Sequence, residues 1–204
     1  MSAIRQTTSK SLMLFSGRAY PELAEEIGGH LGVTPTPTSS YEFANGELFV
    51  RFEESVRGCD AFVVQSMTAP INTWLMEQLI MVDALKRASA KRITVVAPFF
   101  PYARQDKKHR GREPISARLV SDLYRTAGAA DVIVAATHGV LSGPAIDRLK
   151  NSQVSEVIVT NTLPIGPERQ FDKLTVLSIA PLLARAIKEV FEDGSVTSLF
   201  GGAS

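Results

Sequence analysis

Cysteine is nearly absent: Cys59 is the only one in 204 residues. A single thiol excludes an internal disulfide and any cysteine-rich zinc site, and it fits a reducing, cytoplasmic setting. Net charge is nearly absent as well. Twenty-two Lys and Arg stand against 21 Asp and Glu, for a formal charge of +1. No overall excess of either sign points to nucleic acid or to a membrane surface. Long apolar runs are missing too. The longest, near Ile93 to Phe100, is too short to span a bilayer. Met1 to Lys10 is polar and carries no apolar stretch of the kind a secretory signal needs. Repeats, low-complexity tracts and long linkers are also lacking.

What is present is an ordinary globular composition, 45% hydrophobic and 21% charged. It excludes a disordered chain and supplies a sizeable core. The length fits one large domain or two small ones. Short apolar runs alternate with longer amphipathic ones. Strands are expected at Leu12–Phe15, Ala61–Gln65, Ile93–Ala97, Val132–Ala136, Val157–Thr160 and Leu174–Leu177. Helices are expected at Pro21–Leu31, Asn72–Ala88, from Pro114 to about Thr126, Ser142–Lys150 and Ala180–Phe191. In the second of these, Leu75, Leu79, Val82 and Leu85 fall in step. Tyr41–Phe52 reads as a hairpin, with Asn45-Gly46 at its turn. Strand–helix alternation with near-continuous Val/Ile strands predicts an α/β fold: a parallel sheet with helices on both faces. Two blocks, 1–129 and 130–204, meet at Gly128-Ala-Ala130.

Charge is not spread evenly. Between Tyr102 and Arg118 lie Arg104, Lys107, Lys108, Arg110, Arg112 and Arg118, opposed by Asp106 and Glu113 alone. This stretch nets +4, so the rest of the chain nets −3. It follows the strand at Ile93–Ala97, and open parallel sheets bind ligands beyond the carboxyl ends of their strands. Arg and Lys there suit a polyanion such as a nucleotide triphosphate. The charge alone fits a solvated surface loop equally well. Nucleic acid fits worse, because no aromatic platform is interleaved.

Several blocks together resemble ribose-phosphate pyrophosphokinase. They are Phe15-Ser-Gly17, Phe43-Ala-Asn-Gly-Glu47, Glu54-Ser-Val-Arg-Gly58, Val64-Gln-Ser66 and Leu75-Met-Glu77. The most specific is Pro101-Tyr-Ala-Arg-Gln-Asp-Lys-Lys108 with Pro114-Ile-Ser-Ala117. Ala136-Thr-His-Gly139, Ser142-Gly-Pro-Ala145, Val159-Thr-Asn-Thr162 and Ser195 to Phe200 follow in family order. The resemblance implies two phosphoribosyltransferase-like α/β domains. The first would be the ATP-side domain, 1–129, and the second a remnant, 130–204. It implies transfer of diphosphate from ATP to the C1 hydroxyl of ribose 5-phosphate, with magnesium, releasing AMP. It also implies a homo-oligomer, a hexamer in the family, with ATP at a contact between subunits.

Residue roles follow from the same resemblance. Phe43 would stack on the adenine bound by a neighbouring subunit, and Asn45 and Glu47 would hold the base's polar edge. Arg104 would cover the other side of the ring, with Gln105 and Asp106 fixing the nucleotide. Lys107, Lys108 and Arg112 would face phosphates. Ser55, Arg57, Lys108, Ser195, Thr197 and Phe200 match positions of phosphate or allosteric nucleotide binding; at Gly111 many relatives have Ser. Taken without the resemblance, Asn45-Gly46 is equally a tight turn and Phe43 a half-buried strand residue. Val196, Leu199 and Phe200 are equally a hydrophobic plug. Cys59 reads as an inert thiol, His30 as a solvated helix end and His109 as part of the basic loop.

One departure from the family matters most. Relatives carry paired aspartates followed by Asp-Thr-Gly-Gly-Thr, a loop that cradles ribose 5-phosphate on backbone N–H groups. This chain has neither an Asp-Asp pair nor a Thr-Gly-Gly. The family's Asp-Leu-His, whose His binds magnesium, is absent, as is a loop with catalytic Lys and Arg. Protein ligands for magnesium are therefore expected to be lacking. His138 matches Thr-His-Gly rather than the metal His, and Ser142 with Pro144 reads as a helix start. The seam falls between Thr126-Ala-Gly-Ala129 and Asp131-Val-Ile-Val-Ala-Ala136, where a helix, a Gly-Ala and a buried strand keep the α–β rhythm in phase. Three readings follow: a ribose-phosphate diphosphokinase, a non-catalytic nucleotide-binding subunit that modulates an intact relative, or a remnant with no role.

Overall fold

The computed structural model describes residues 11–108 and 110–192. Two compact units emerge. The first runs to Val134 and takes back Asn151–Glu156; the second holds Ala135–Lys150 and the chain from Val157 onward.

The first unit is built on parallel strands in the order β1 (Leu12–Ser16), β4 (Asp60–Val64), β5 (Arg92–Val96) and β6 (Asp131–His138). β6 crosses into the second unit. The registers pair Leu14 with Phe62, Phe62 with Thr94, and Val96 with Ile133. Successive strand residues point to opposite faces, yet Val63 and Val64 are both buried, as are Leu14 and Phe15. Both faces of this sheet are therefore covered. Leu14, Val64, Phe62 and Val96 pack with Ala24 and Ile27 of α1 (Pro21–Leu31). α2 (Ile71–Arg87) packs on β4, β5 and α3 (Ser116–Ala127). β2 (Thr38–Glu42) and β3 (Leu48–Phe52) form a separate antiparallel ladder.

α1, the Leu174–Leu177 strand and the Ala180–Phe191 helix coincide with their expected limits. Elsewhere boundaries move, for identifiable reasons. α3 starts at Ser116, not Pro114: Leu119 N–H donates to Ile115 O, and the Ser116 hydroxyl donates to Gln105 Oε1. α4 covers only Ala145–Lys150, because Gly143 is left-handed at φ +56°. The buried stripe of α2 runs through Gln78 and Met81 rather than Leu79. Gln78 tolerates burial because its Nε2 donates to Val63 O at 2.9 Å and its Oε1 accepts from the Tyr124 hydroxyl at 2.7 Å. Burial pushes the Tyr124 phenol pKa well up, so it stays a donor. Tyr124→Phe strands Gln78 Oε1 and is expected to cost about 1–3 kcal/mol, read as a lowered urea midpoint.

The second unit pairs β7 (Glu156–Thr160) with β8 (Leu174–Leu177) in parallel. Val157 and Val159 are buried, but Val176 and Leu177 are exposed. α5 (Ala180–Phe191) has no buried residue, and Leu183, Ile187, Val190 and Phe191 are 50–86% exposed. No helix among the described residues is long and apolar enough to cross a membrane.

Candidate functional site

The β2–β3 hairpin closes differently from a two-residue turn. Gly46 N–H donates to Phe43 O, and Phe43 N–H donates to Glu47 O. Only Gly46 has a positive φ, +89°. This is a turn over Ala44 and Asn45 followed by a left-handed glycine, and that conformation favours Gly there. The strands therefore end at Glu42 and resume at Leu48, which places Phe43, Asn45 and Glu47 together in the exposed loop. Phe43 is 46% exposed, so the half-buried strand reading does not hold for it. Its ring meets Tyr41 edge-on at 5.2 Å, and Tyr41 stacks on Phe49 at 4.8 Å. Asn45 Oδ1 accepts Glu47 N–H at 3.1 Å, and its amide NH2 has no partner among the described residues.

Beside this loop lies a groove of about 570 Å³ between the hairpin and the first half of α2. Phe43, Glu47 and Leu48 line one side, and Asn72, Met76 and Ile80 the other. Asn72 Oδ1 accepts the Tyr102 hydroxyl at 2.5 Å, tying the groove to the segment after β5.

That segment holds the second predicted set. Ala103–Gln105 is one 3-10 turn, with Tyr102 before it and Asp106 after it. Tyr102 and, further on, Arg112 have φ of +57° and +70°, uncommon for residues with side chains. Such backbone settings concentrate at binding loops. Gln105 Oε1 is held by the Ser116 hydroxyl, and its NH2 again has no partner among the described residues. Arg104, Lys107, Lys108 and Arg112 are exposed and have no ion pair among the described residues. Arg118 is different: it sits on α3 within 3.8 Å of Asp122. Arg110, in the same loop as the first four, is likewise exposed and without an ion pair among the described residues, so five of the six expected cations are available to an anion from one loop.

The hairpin trio and the Arg104–Asp106 trio each lie within one short segment; Phe43 and Glu47 of the first line the groove, and no member of the second does. Ser55 and Arg57 are exposed in the loop before β4. Ser195, Thr197 and Phe200 lie outside the described residues, as does His109. Cys59 is buried, and burial pushes its thiol pKa up, which suits an inert role. His30 is exposed at the end of α1.

Magnesium fits poorly. No group of three or more His, Cys, Asp or Glu among the described residues comes together to hold a metal ion. His138 Nδ1 lies 2.8 Å from Thr162 Oγ1, an arrangement of imidazole and hydroxyl rather than the oxygen-rich set magnesium prefers. No step is therefore assigned to a protein-held metal.

A cluster that sequence reasoning passed over sits under the hairpin. Glu77 of α2 is fully buried and accepts from Arg18 Nε at 2.6 Å, Arg18 N at 3.1 Å, Gln65 Nε2 at 2.6 Å and Ser40 Oγ at 2.5 Å. Burial would push its carboxyl up, but the hydrogen bonds from Ser40, Arg18 and Gln65 outweigh that and hold its pKa below the usual value. Gly17 is required beside it, because a Cβ there would fall 2.2 Å from the Gln65 side chain. The available signal was a Glu-Gln pair at 77–78 within an otherwise apolar helical stripe.

Comparison with known proteins decides the family. A model of the N-terminal domain of ribose phosphate pyrophosphokinase matches residues 12–128, and one of the phosphoribosyl synthetase-associated domain matches residues 116–201. The chain belongs to the ribose-phosphate pyrophosphokinase family. Ribose-phosphate pyrophosphokinase of Streptomyces coelicolor is 43% identical over 321 aligned positions, spanning 98% of this chain and 99% of the relative. That of Mycobacterium leprae is 44% identical over 315 positions, spanning 95% and 96%. The phosphoribosylpyrophosphate synthetase structure from Mycobacterium smegmatis matches with a TM-score of 0.58 and 43% identity, covering 91% of this chain and 100% of that one.

These spans carry a further fact. An alignment of 321 positions exceeds this chain's 204 residues by 117, so at least that many positions of the Streptomyces protein have no counterpart here. Forty-three per cent of 321 is about 138 identities, about two thirds of the 204 residues. The residues that remain are closely similar; a large internal stretch is gone. Members of the family make phosphoribosyl diphosphate and AMP from ATP and ribose 5-phosphate.

Proposed function

We propose that this chain is the ATP-binding part of a ribose-phosphate pyrophosphokinase, working as a nucleotide-binding subunit that modulates an intact relative. The observation that carries this is the 117-position shortfall, combined with retention of both nucleotide motifs. Phe43, Asn45 and Glu47 of one copy would hold the adenine against Arg104, Gln105 and Asp106 of its neighbour. That division agrees with a hairpin whose groove does not include the second trio. The amide NH2 groups of Asn45 and Gln105, whose oxygens are already engaged, suit the ring-nitrogen acceptors of a purine. An aromatic face and a guanidinium plane suit its two sides. Lys107, Lys108 and Arg112 would receive the phosphates, with Ser55, Arg57, Ser195, Thr197 and Phe200 as an allosteric phosphate site.

A site shared between copies makes the working form a homo-oligomer, a hexamer by family likeness, or a mixed assembly with the relative. Ribose 5-phosphate and magnesium would enter through the relative, since the sugar-phosphate loop is missing here. ATP as ligand and a single buried thiol suit the cytoplasm. The blocks 1–129 and 130–204 would be the ATP-side domain and what is left of the second.

Equilibrium dialysis with labelled ATP tests the nucleotide half-site. Phe43→Ala and Arg104→Ala are each expected to weaken binding about tenfold to a hundredfold, from the usual 1–3 kcal/mol for a base on an aromatic face. Unchanged affinity in both would sink the assignment.

A further inference from the structure

The Glu77 cluster is more elaborate than packing needs. An apolar residue would fill this place on α2 without the cost of burying a charge. Instead the carboxylate gathers donors from three other segments: Arg18 from the β1–α1 loop, Gln65 at the end of β4, and Ser40 from β2. Gln65 Oε1 in turn accepts Ala19 N–H at 3.1 Å. The Arg18 guanidinium lies 5.6 Å from the centre of the Trp74 ring.

Of these donors, Ser40 has a distinct place. It belongs to the two-stranded ladder, which shares no strand pairing with the main sheet. At its base the hairpin is joined to the rest of its unit by Thr36 N–H on Leu14 O and by Phe52 against Phe15 at 4.8 Å. β3 also packs along α2, and the Ser40–Glu77 bond is a polar tie beside that packing, three residues from Phe43. Glu77 also adjoins Met76, which lines the groove across from Phe43 and Glu47. The bond therefore adds a directional tie to that packing and helps to set how far the hairpin loop stands from α2.

We propose that Glu77 is a positioning residue for the nucleotide half-site, holding the hairpin through Ser40 so that Phe43, Asn45 and Glu47 are presented at a set distance from α2. This rests on the nucleotide reading above. Arg18 and Gln65 keep the carboxylate aimed at Ser40. Binding geometry of this kind depends on groups behind the contacting ones being locked.

The test uses the full chain, with Ser40→Ala, Ser40→Thr and Glu77→Gln. Hydrogen exchange over residues 38–52 reads hairpin anchoring, and dialysis with ATP reads the site. Ser40→Ala is expected to speed exchange in 38–52 about tenfold and to weaken ATP binding by about the same factor, with β4, β5 and α2 unchanged. Ser40→Thr keeps the hydroxyl and should restore both; a merely structural defect would not be rescued in this pattern. Glu77→Gln keeps the shape and loses the charge, and should resemble Ser40→Ala in 38–52. Unchanged exchange in both Ser40→Ala and Glu77→Gln overturns the anchoring. Faster exchange with undiminished ATP affinity overturns the positioning role. Faster exchange in a chain whose parent form binds no ATP supports the anchoring and overturns the nucleotide reading instead.

Discussion

Supplied with ATP, magnesium and ribose 5-phosphate, the isolated chain is expected to release AMP at a rate near background. Diphosphate transfer relies almost wholly on positioning and on neutralising charge as it develops. Removing one well-placed donor from such a site costs about a hundredfold to a thousandfold in rate. On the proposed reading the family's sugar-phosphate cradle and its catalytic Lys and Arg are absent together, so a deficit of at least about ten-thousandfold against an intact relative is expected. ATP hydrolysis that ignores ribose 5-phosphate would not count against this. Sugar-dependent AMP release approaching that of the relative would, and it would require the sugar phosphate to be held by residues that now have no such role. A titration of the chain into the relative belongs beside this assay. A saturable change in the relative's rate supports the subunit reading, and no change at any ratio removes it.

The first unit was legible because its signals were local and redundant. α1 is announced by Pro21 and ends at the left-handed Gly32, and the strands are near-continuous runs of Val and Ile. The proposed nucleotide motifs could be placed for another reason: Phe43 to Glu47 and Arg104 to Asp106 each fall within one short loop, so spacing along the chain is spacing in space. What escaped was long-range. Glu77 meets Arg18 across 59 positions and Ser40 across 37, and nothing local marks those partners. The register of α2 failed on the same ground. Leu79 is the more apolar residue, but Gln78 is the one with Val63 and Tyr124 to satisfy it. The start of α3 moved because Ser116 is engaged by Gln105, eleven residues away.

Hydrogen exchange should divide the chain into two classes of very different protection. In the first unit, β4 and β5 lie in a sheet buried on both faces, so their amides are expected to open only with the unit as a whole. In the second, α5 buries no residue, and the apolar side chains of Leu183, Ile187, Val190 and Phe191 stay exposed. A helix of 12 residues has little stability without packing, because nucleation is unfavourable and each further residue adds little. Amides of α5 are therefore expected to exchange at least about a thousandfold faster than those of β4, and the chain should bind a hydrophobic dye well below its unfolding midpoint. Ile187→Lys should reduce dye binding without lowering that midpoint, since it removes exposed apolar area and no core contact. The same contrast bears on function. The proposed nucleotide half-site draws on the better-packed unit and can persist while the other unit is poorly covered. Uniform protection of β4 and α5, with one cooperative transition and no dye binding, would instead mean that the shortened chain has closed a complete second core.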